Sequence, residues 1–259
     1  MFKKAILCFF VLLITSPIKA QSYSSKPSWS QEFRTLGRKY LRDWSFYKGT
    51  FDIESQYYTD SIGNVYVRNG YLHIKATPDK RSNKVCSSAR VSTRGHKSFL
   101  YGRFEIRAKI QTGKGIFPAI WLLSEDYPDV VYPFGEMDIM EYIDCFESKQ
   151  YCLTTHMYGK QQDSGAVHYK HSKNIDADMS KYHVYGLEWT PTFISYSLDK
   201  KEIYRLEKKD AELWPFDKPY ILILNVAYGN WGAQCGMDDS IFPREMIVDW
   251  IRYYPLITY

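Results

Sequence analysis

Gly135-Glu136-Met137-Asp138-Ile139-Met140-Glu141 is the stretch on which the reading turns: from Glu136 on, three acids and three apolar residues share six positions. In a strand, period two sends Glu136 and Asp138 to one face and Met137 and Ile139 to the other. Strict alternation would then turn Glu141 to the apolar side. One inserted residue, a β-bulge at Ile139-Met140, returns it to the face of Glu136 and Asp138. The adjacent apolar pair suits such an insertion. The segment therefore predicts a strand with one buried face and three carboxyls converging on the other.

The rest of the chain supports strands throughout. Residues 65–67 and 71–76 flank Asn69-Gly70, a hairpin-type turn. Phe104, Ile106, Ala108 and Ile110 alternate with Glu105, Arg107 and Lys109, the period of a half-buried strand. Residues 182–189 and 193–198 flank Thr190-Pro191, and 202–206 follow a turn at Asp199-Lys200. Residues 220–227 are almost continuously apolar, as a central strand is, and 246–254 close the pattern. Long helical periodicity, linkers and repeats are lacking. This predicts one all-β domain over 21–259, an antiparallel β-sandwich of concanavalin A-like jelly-roll type, whose curved sheets leave a concave substrate cleft.

Residues 1–20 read as a secretory signal peptide. Lys3 and Lys4 precede an apolar run over 5–14, Pro17 breaks it, and Ile18-Lys19-Ala20 offers a cleavage site. The run is too short for a membrane span. The expectation is export to the periplasm or beyond, where disulfides are permitted. Cys145 and Cys152 flank a short polar stretch, so a bridge between them is the first expectation and two free thiols the alternative. Pairing of Cys86 with Cys235 stays undecided, and the spacings do not suit a zinc ribbon. The net charge of +5 comes from scattered Lys and Arg, which argues against a nucleic-acid partner. Aromatic residues make up 17% of the chain, 23 of them Tyr. Rings of this kind fill β cores and also stack on sugars.

Three neighbouring carboxyls raise one another's pKa. Glycoside hydrolysis uses that effect: one carboxylate attacks while a carboxylic acid protonates the leaving oxygen, and retaining enzymes hold the pair roughly 5–5.5 Å apart. Neighbours on one bulged strand suit that separation. A solvated acidic edge strand, or a metal site of Asp138, Glu141 and His156, are the other readings of the spacing.

The Glu136-x-Asp138-x-x-Glu141 pattern resembles the active-site signature of glycoside hydrolase family 16, in its bulged, laminarinase-like form. Further blocks resemble the family in order: Ser88 to Thr93, Tyr101 to Lys109, Phe117 to Leu123, Leu187 to Pro191, Trp214 to Asp217, Leu222 to Ala227 and Asp238 to Pro243. The resemblance implies Glu136 as nucleophile, Glu141 as general acid/base and Asp138 as the acid tuning the nucleophile. It also implies His156 beside them, and Trp121, Tyr132, Arg90, Phe117, Asn225 and Trp231 as substrate-binding residues. It implies no cofactor for catalysis and a structural calcium held by Glu32, Asp249 and the Gly70 carbonyl. A salt bridge from Asp249 to an Arg or Lys is the alternative there.

The implied partner is an oligosaccharide or polysaccharide, cut internally by a monomer. A transglycosylase and a non-catalytic sugar-binding module are the rival classes; the module predicts no paired carboxylates. Family β-glucanases usually carry Trp where Tyr132 and Phe117 stand. Smaller rings leave room for an axial hydroxyl, which suggests β-galactosyl linkages in galactans, keratan-type chains or O-glycans. The alternative is a β-1,3(4)-glucan.

Overall fold

Period two along the alternating segment becomes the strand Gly102–Ile110, in which buried and half-buried positions alternate without a break. The near-continuous apolar run becomes Tyr220–Tyr228, buried at every position. These are features of a computed structural model, described for residues 22–34, 41–51, 53–79, 83–129, 132–144, 150–161 and 165–258. The expected signal segment lies outside the described residues.

Two large sheets form. The first runs in the order Gly165–Asp176, Gln150–Gln161, Phe134–Tyr142, Ile116–Ser124, Tyr220–Tyr228, Arg90–Ser92 and Ser45–Phe46. The second runs Lys201–Glu207, Phe193–Leu198, His183–Trp189, Gly102–Ile110, Arg244–Tyr254, Tyr71–Pro78, Cys86–Ser88 and Gln56–Tyr58. Its pairings are antiparallel except that of Gln56–Tyr58 with Cys86–Ser88. The expected all-β sandwich is therefore the fold.

The core lies between the sheets. Ile120, Leu122, Met137, Met140, Leu222 and Leu224 of the first meet Phe104, Ile106, Leu187, Trp189, Val248 and Ile251 of the second in one buried cluster. Each such large side chain stabilises the fold by roughly 1.5–3 kcal/mol on burial. The indole N–H of Trp189 donates to the Phe216 carbonyl at 3.0 Å, so its burial leaves no orphaned donor. The 65–68 and 71–78 strands join through Asn69 (φ 53°) and Gly70 (φ 84°), the two left-handed residues of the expected hairpin turn. No helix among the described residues is long and apolar enough to cross a membrane.

The cysteine expectation is corrected. Cys86 and Cys152 are free thiols, and Cys235 is disulfide-bonded. Neither the Cys145–Cys152 bridge nor a Cys86–Cys235 bridge forms. Cys145 itself lies outside the described residues. Cys152 is unsuited to a hairpin bridge because it pairs opposite Glu141 and shares the cleft face with Thr154, whose Oγ1 lies 3.5 Å from its sulfur.

Candidate active site

The bulge falls where the sequence places it. Against Ile116–Ser124, Asp138 lies opposite Trp121 and Met140 opposite Ile120, so Ile139 has no opposite number. Against Gln150–Gln161, Asp138 lies opposite Thr154 and Glu141 opposite Cys152, two intervening residues against one. Ile139 and Met140 both turn into the core. Glu136, Asp138 and Glu141 all reach a single cleft of about 500 Å³. Gly135 lets the strand lie close against its support: a Cβ there would sit 2.5 Å from Phe216 Cε1 and 2.6 Å from the Tyr220 hydroxyl.

Burial, followed by the charge of Asp138, pushes the Glu136 carboxyl up to about 8. Burial and the charge of Glu136 push Glu141 up to about 7, while His156 and a hydrogen bond from Thr154 act the other way. Asp138, 1% exposed, is held far above the usual carboxylate range by burial and by Glu141. Three like charges this close, with Asp138 fully buried, cannot all persist, so the cluster holds a proton at neutral pH. That gives the site a carboxylic acid and a carboxylate together, which a solvated acidic edge does not provide.

The second sheet stiffens this cluster. The Thr154 hydroxyl donates to Glu141 Oε2 at 3.3 Å. Behind it the buried Tyr196 hydroxyl donates to the Thr154 carbonyl at 3.1 Å and lies 2.7 Å from Thr155 Oγ1. His156 sits opposite Glu136 in the ladder, with Nε2 3.2 Å from Asp138 Oδ2. On the other wall, the Trp121 indole N–H donates to Asn225 Oδ1 at 2.8 Å, and the Arg90 guanidinium lies 4.7 Å from the indole ring. Trp121 is thus held as a flat surface beside the acids.

Of the sequence-predicted residues, Arg90, Phe117, Trp121, Glu136, Asp138, Glu141, His156, Asn225 and Trp231 line this cleft. Tyr132 does not. Its ring packs on Phe134 at 5.4 Å and under the Lys160 ammonium, and Phe134, itself stacked on Tyr158, stands between. Sequence reasoning missed Glu54, Tyr158, His168 and Lys170, which also line the cleft. The signal for the last three was period two: 152, 154, 156 and 158 share a face, and the ladder sets His168 opposite Tyr158 and Lys170 opposite His156.

The calcium expectation meets different chemistry. The register brings its segments together, with Val248 opposite Leu72 and Ile251 opposite Gln31. Yet Asp249 pairs with Arg107, and Glu32 accepts two hydrogen bonds from Arg252 at 2.8 and 3.0 Å. The salt bridge left open by the sequence is what neutralises Asp249. Guanidinium groups already hold both Glu32 oxygens and Asp249 Oδ2, so the two acids as found are neutralised without a cation.

A β-sandwich whose concave cleft joins paired acids to a fixed indole and an arginine is laid out for cutting sugars. The chain belongs to glycosyl hydrolases family 16, whose model matches residues 53–252. It is 35% identical to the β-glucanase of Rhodothermus marinus over 249 residues, 87% of this chain and 84% of that protein. It is 32% identical to a keratan-sulfate endo-1,4-β-galactosidase of Sphingobacterium multivorum over 64% of this chain and 39% of the other. Among solved structures, a non-specific family 16 endo-β-1,3(4)-glucanase superposes with a TM-score of 0.80 at 31% identity, covering 90% of this chain and 96% of that one. The protein is a glycoside hydrolase of endo-glycosidase type, its substrate is a carbohydrate, and its catalysis needs no cofactor.

Proposed function

We propose that the chain is an exported, retaining endo-β-glycosidase that cleaves internal β-1,4 or β-1,3 linkages. The observation that carries this is the Ile139-Met140 bulge, which sets Glu136, Asp138 and Glu141 on one cleft face. The proton that Glu136 holds in the free cleft passes to Glu141 in the reactive form; Glu136, then ionised, attacks the anomeric carbon as the glycosidic C–O bond breaks, and Glu141 gives that proton to the departing oxygen. Glu141, now ionised, takes a proton from water. The water oxygen attacks the same carbon and Glu136 leaves. Asp138 hydrogen-bonds Glu136 and tunes its ionisation. Trp121 supplies a stacking surface for the sugar, with Arg90 and Asn225 fixing the indole. Residues 1–20 motivate the export reading, which N-terminal sequencing of protein recovered outside the cytoplasm tests.

Two substrate classes stand, each on its own observation. The glucanase relatives, which cover most of the chain, favour a β-1,3- or mixed-linkage β-glucan. Phe117 in the cleft wall and the keratan-sulfate endo-galactosidase relative favour a β-galactosidic chain of galactan, keratan or O-glycan type. Tyr132, away from the cleft, contributes nothing to that choice. Sizing the products from laminarin, mixed-linkage glucan, agarose, keratan and mucin glycans decides it. Intermediate oligosaccharides from one of these support endo action; release of single sugars alone, or no cleavage of any, counts against the reading.

A further inference from the structure

Behind the catalytic acids lies a histidine pair that the double-displacement chemistry does not use. His156 Nδ1 and His168 Nε2 are 2.8 Å apart, a hydrogen bond between two imidazoles on neighbouring strands. The other nitrogen of His156 lies 3.2 Å from Asp138 Oδ2, a buried oxygen that has no hydrogen-bond partner as the two groups stand. The rings are held by stacking: His168 lies 4.4 Å from the Tyr158 ring at 4° and 5.0 Å from His156 at 18°, and Tyr158 stacks in turn on Phe134. A continuous line thus runs from Asp138, which is buried, through His156, which is half-buried, to His168, which is exposed. We propose that His168 is a positioning residue that, through His156, keeps a matching hydrogen-bond partner against Asp138 and passes that acid's proton to and from solvent.

The proton arithmetic follows from two ring nitrogens per imidazole. With Asp138 ionised and both rings neutral, a small turn of His156 brings Nε2–H onto the unpartnered Oδ2, while His168 Nε2–H donates to His156 Nδ1. Uptake of one proton at His168 Nδ1 moves the Nε2 proton of His168 to His156 Nδ1. The Nε2 proton of His156 then moves to Asp138. The acid now donates to His156 Nε2, and His156 donates to His168 Nε2. Both arrangements satisfy every nitrogen along the line, and they differ by one proton. Burial, then the charges of His156 and Lys170, lower the His168 pKa, which keeps its ring neutral as this requires. The groups facing the pair are Glu136, Asp138 and Glu141 from the central strand, and Cys152 and Tyr158 from the strand of His156. Lys170 faces it from the edge strand and Arg90 from the opposite wall.

The inference rests on the glycosidase reading of the cleft, so its test has a readout that needs no substrate. In the full-length protein with ¹⁵N-labelled histidine, long-range imidazole correlations report which nitrogen of His156 carries the proton. Wild type should show one defined tautomer for His156, and His168→Ala should show a mixed one. His168→Gln, whose amide can donate or accept, should restore it. On whichever glycan of the panel the wild type cleaves, His168→Ala should lower kcat roughly tenfold, less than the ~10²-fold typical of a direct proton-transfer group. KM should stay within about twofold, as for a group that acts in the transition state rather than in substrate binding. The acid limb of the pH profile should move to higher pH, because a less firmly held His156 donor favours the ionised form of Asp138 less. An unchanged His156 spectrum overturns the proposal. A raised KM with an unmoved pH profile does so too, since it makes His168 a plain substrate contact. If no glycan is cut, the glycosidase reading fails while the spectra still decide this one.

Discussion

Glu136→Gln should abolish activity and, at alkaline pH, make the folded protein more stable. Burial and the charge of Asp138 raise the Glu136 carboxyl from an ordinary 4.5 to about 8. Below about pH 4.5 the folded and unfolded chains both hold this proton, so the group costs nothing. As the pH rises, the unfolded chain releases the proton first, and folding loses about 1.4 kcal/mol per pH unit until the folded pKa is passed. The interval from 4.5 to about 8 sets an upper bound of about 5 kcal/mol. Glu136 is only half-buried in a cleft that water enters, so screening reduces this to about 1–3 kcal/mol. The amide keeps the shape and removes the charge. In a domain of this size 1 kcal/mol moves Tm by about 2–4 °C, so the variant should melt about 2–12 °C higher at pH 9 and with wild type at pH 4. Calorimetry at both pH values reads this, and turnover should fall at least ~10²-fold. An equal Tm shift at the two pH values, or a fall at pH 9, would falsify the account of a desolvated, mutually repelling carboxyl.

Glu141→Gln should likewise lose at least ~10²-fold in turnover while remaining folded; near wild-type activity refutes its role as acid/base. The first product from a β-glycan should carry the β-configuration in an NMR time course, and an initial α-anomer excludes retention. Excess chelator should leave Tm unchanged, since Arg107 and Arg252 already neutralise Asp249 and Glu32; a drop of several degrees restores the calcium reading. If the substrate is a galactoside, Phe117→Trp should lower kcat/KM on it by roughly 10–200-fold, the scale of a local steric misfit. Tyr132→Trp should change glucoside and galactoside cleavage alike, and a selective loss there means that Tyr132 reaches the sugar after all.

The strands and the acids were legible because their information is local. Alternation along 102–110, the apolar run at 220–228 and Asn69-Gly70 each fix a backbone conformation from neighbouring residues. The bulge too could be read from one strand, because Glu141 reaches the face of Glu136 only if Ile139-Met140 absorbs an extra residue. Trp121 and Arg90 were legible through the family pattern, and the structure adds the Asn225 hydrogen bond and the guanidinium that hold the indole. What stayed hidden depends on which strands become neighbours and in what register. Tyr132 looked like a cleft residue from its place four positions before Glu136, but Phe134 fills the intervening space. Cys152 looked like half of a hairpin bridge until its partner in the ladder proved to be Glu141. Asp249 and Glu32 looked like metal ligands until Arg107 and Arg252, far away in sequence, came within reach. His168 and Lys170 join the site only because the edge strand pairs with the His156 strand in one register; a slip of one residue would turn both out of the cleft. The sequence by itself determined the β-sandwich, the bulged strand and its acids, since period and spacing act along the chain. Tertiary structure alone decided which charges are paired and which rings line the cleft, since those follow from distances between segments that the chain's own order does not encode.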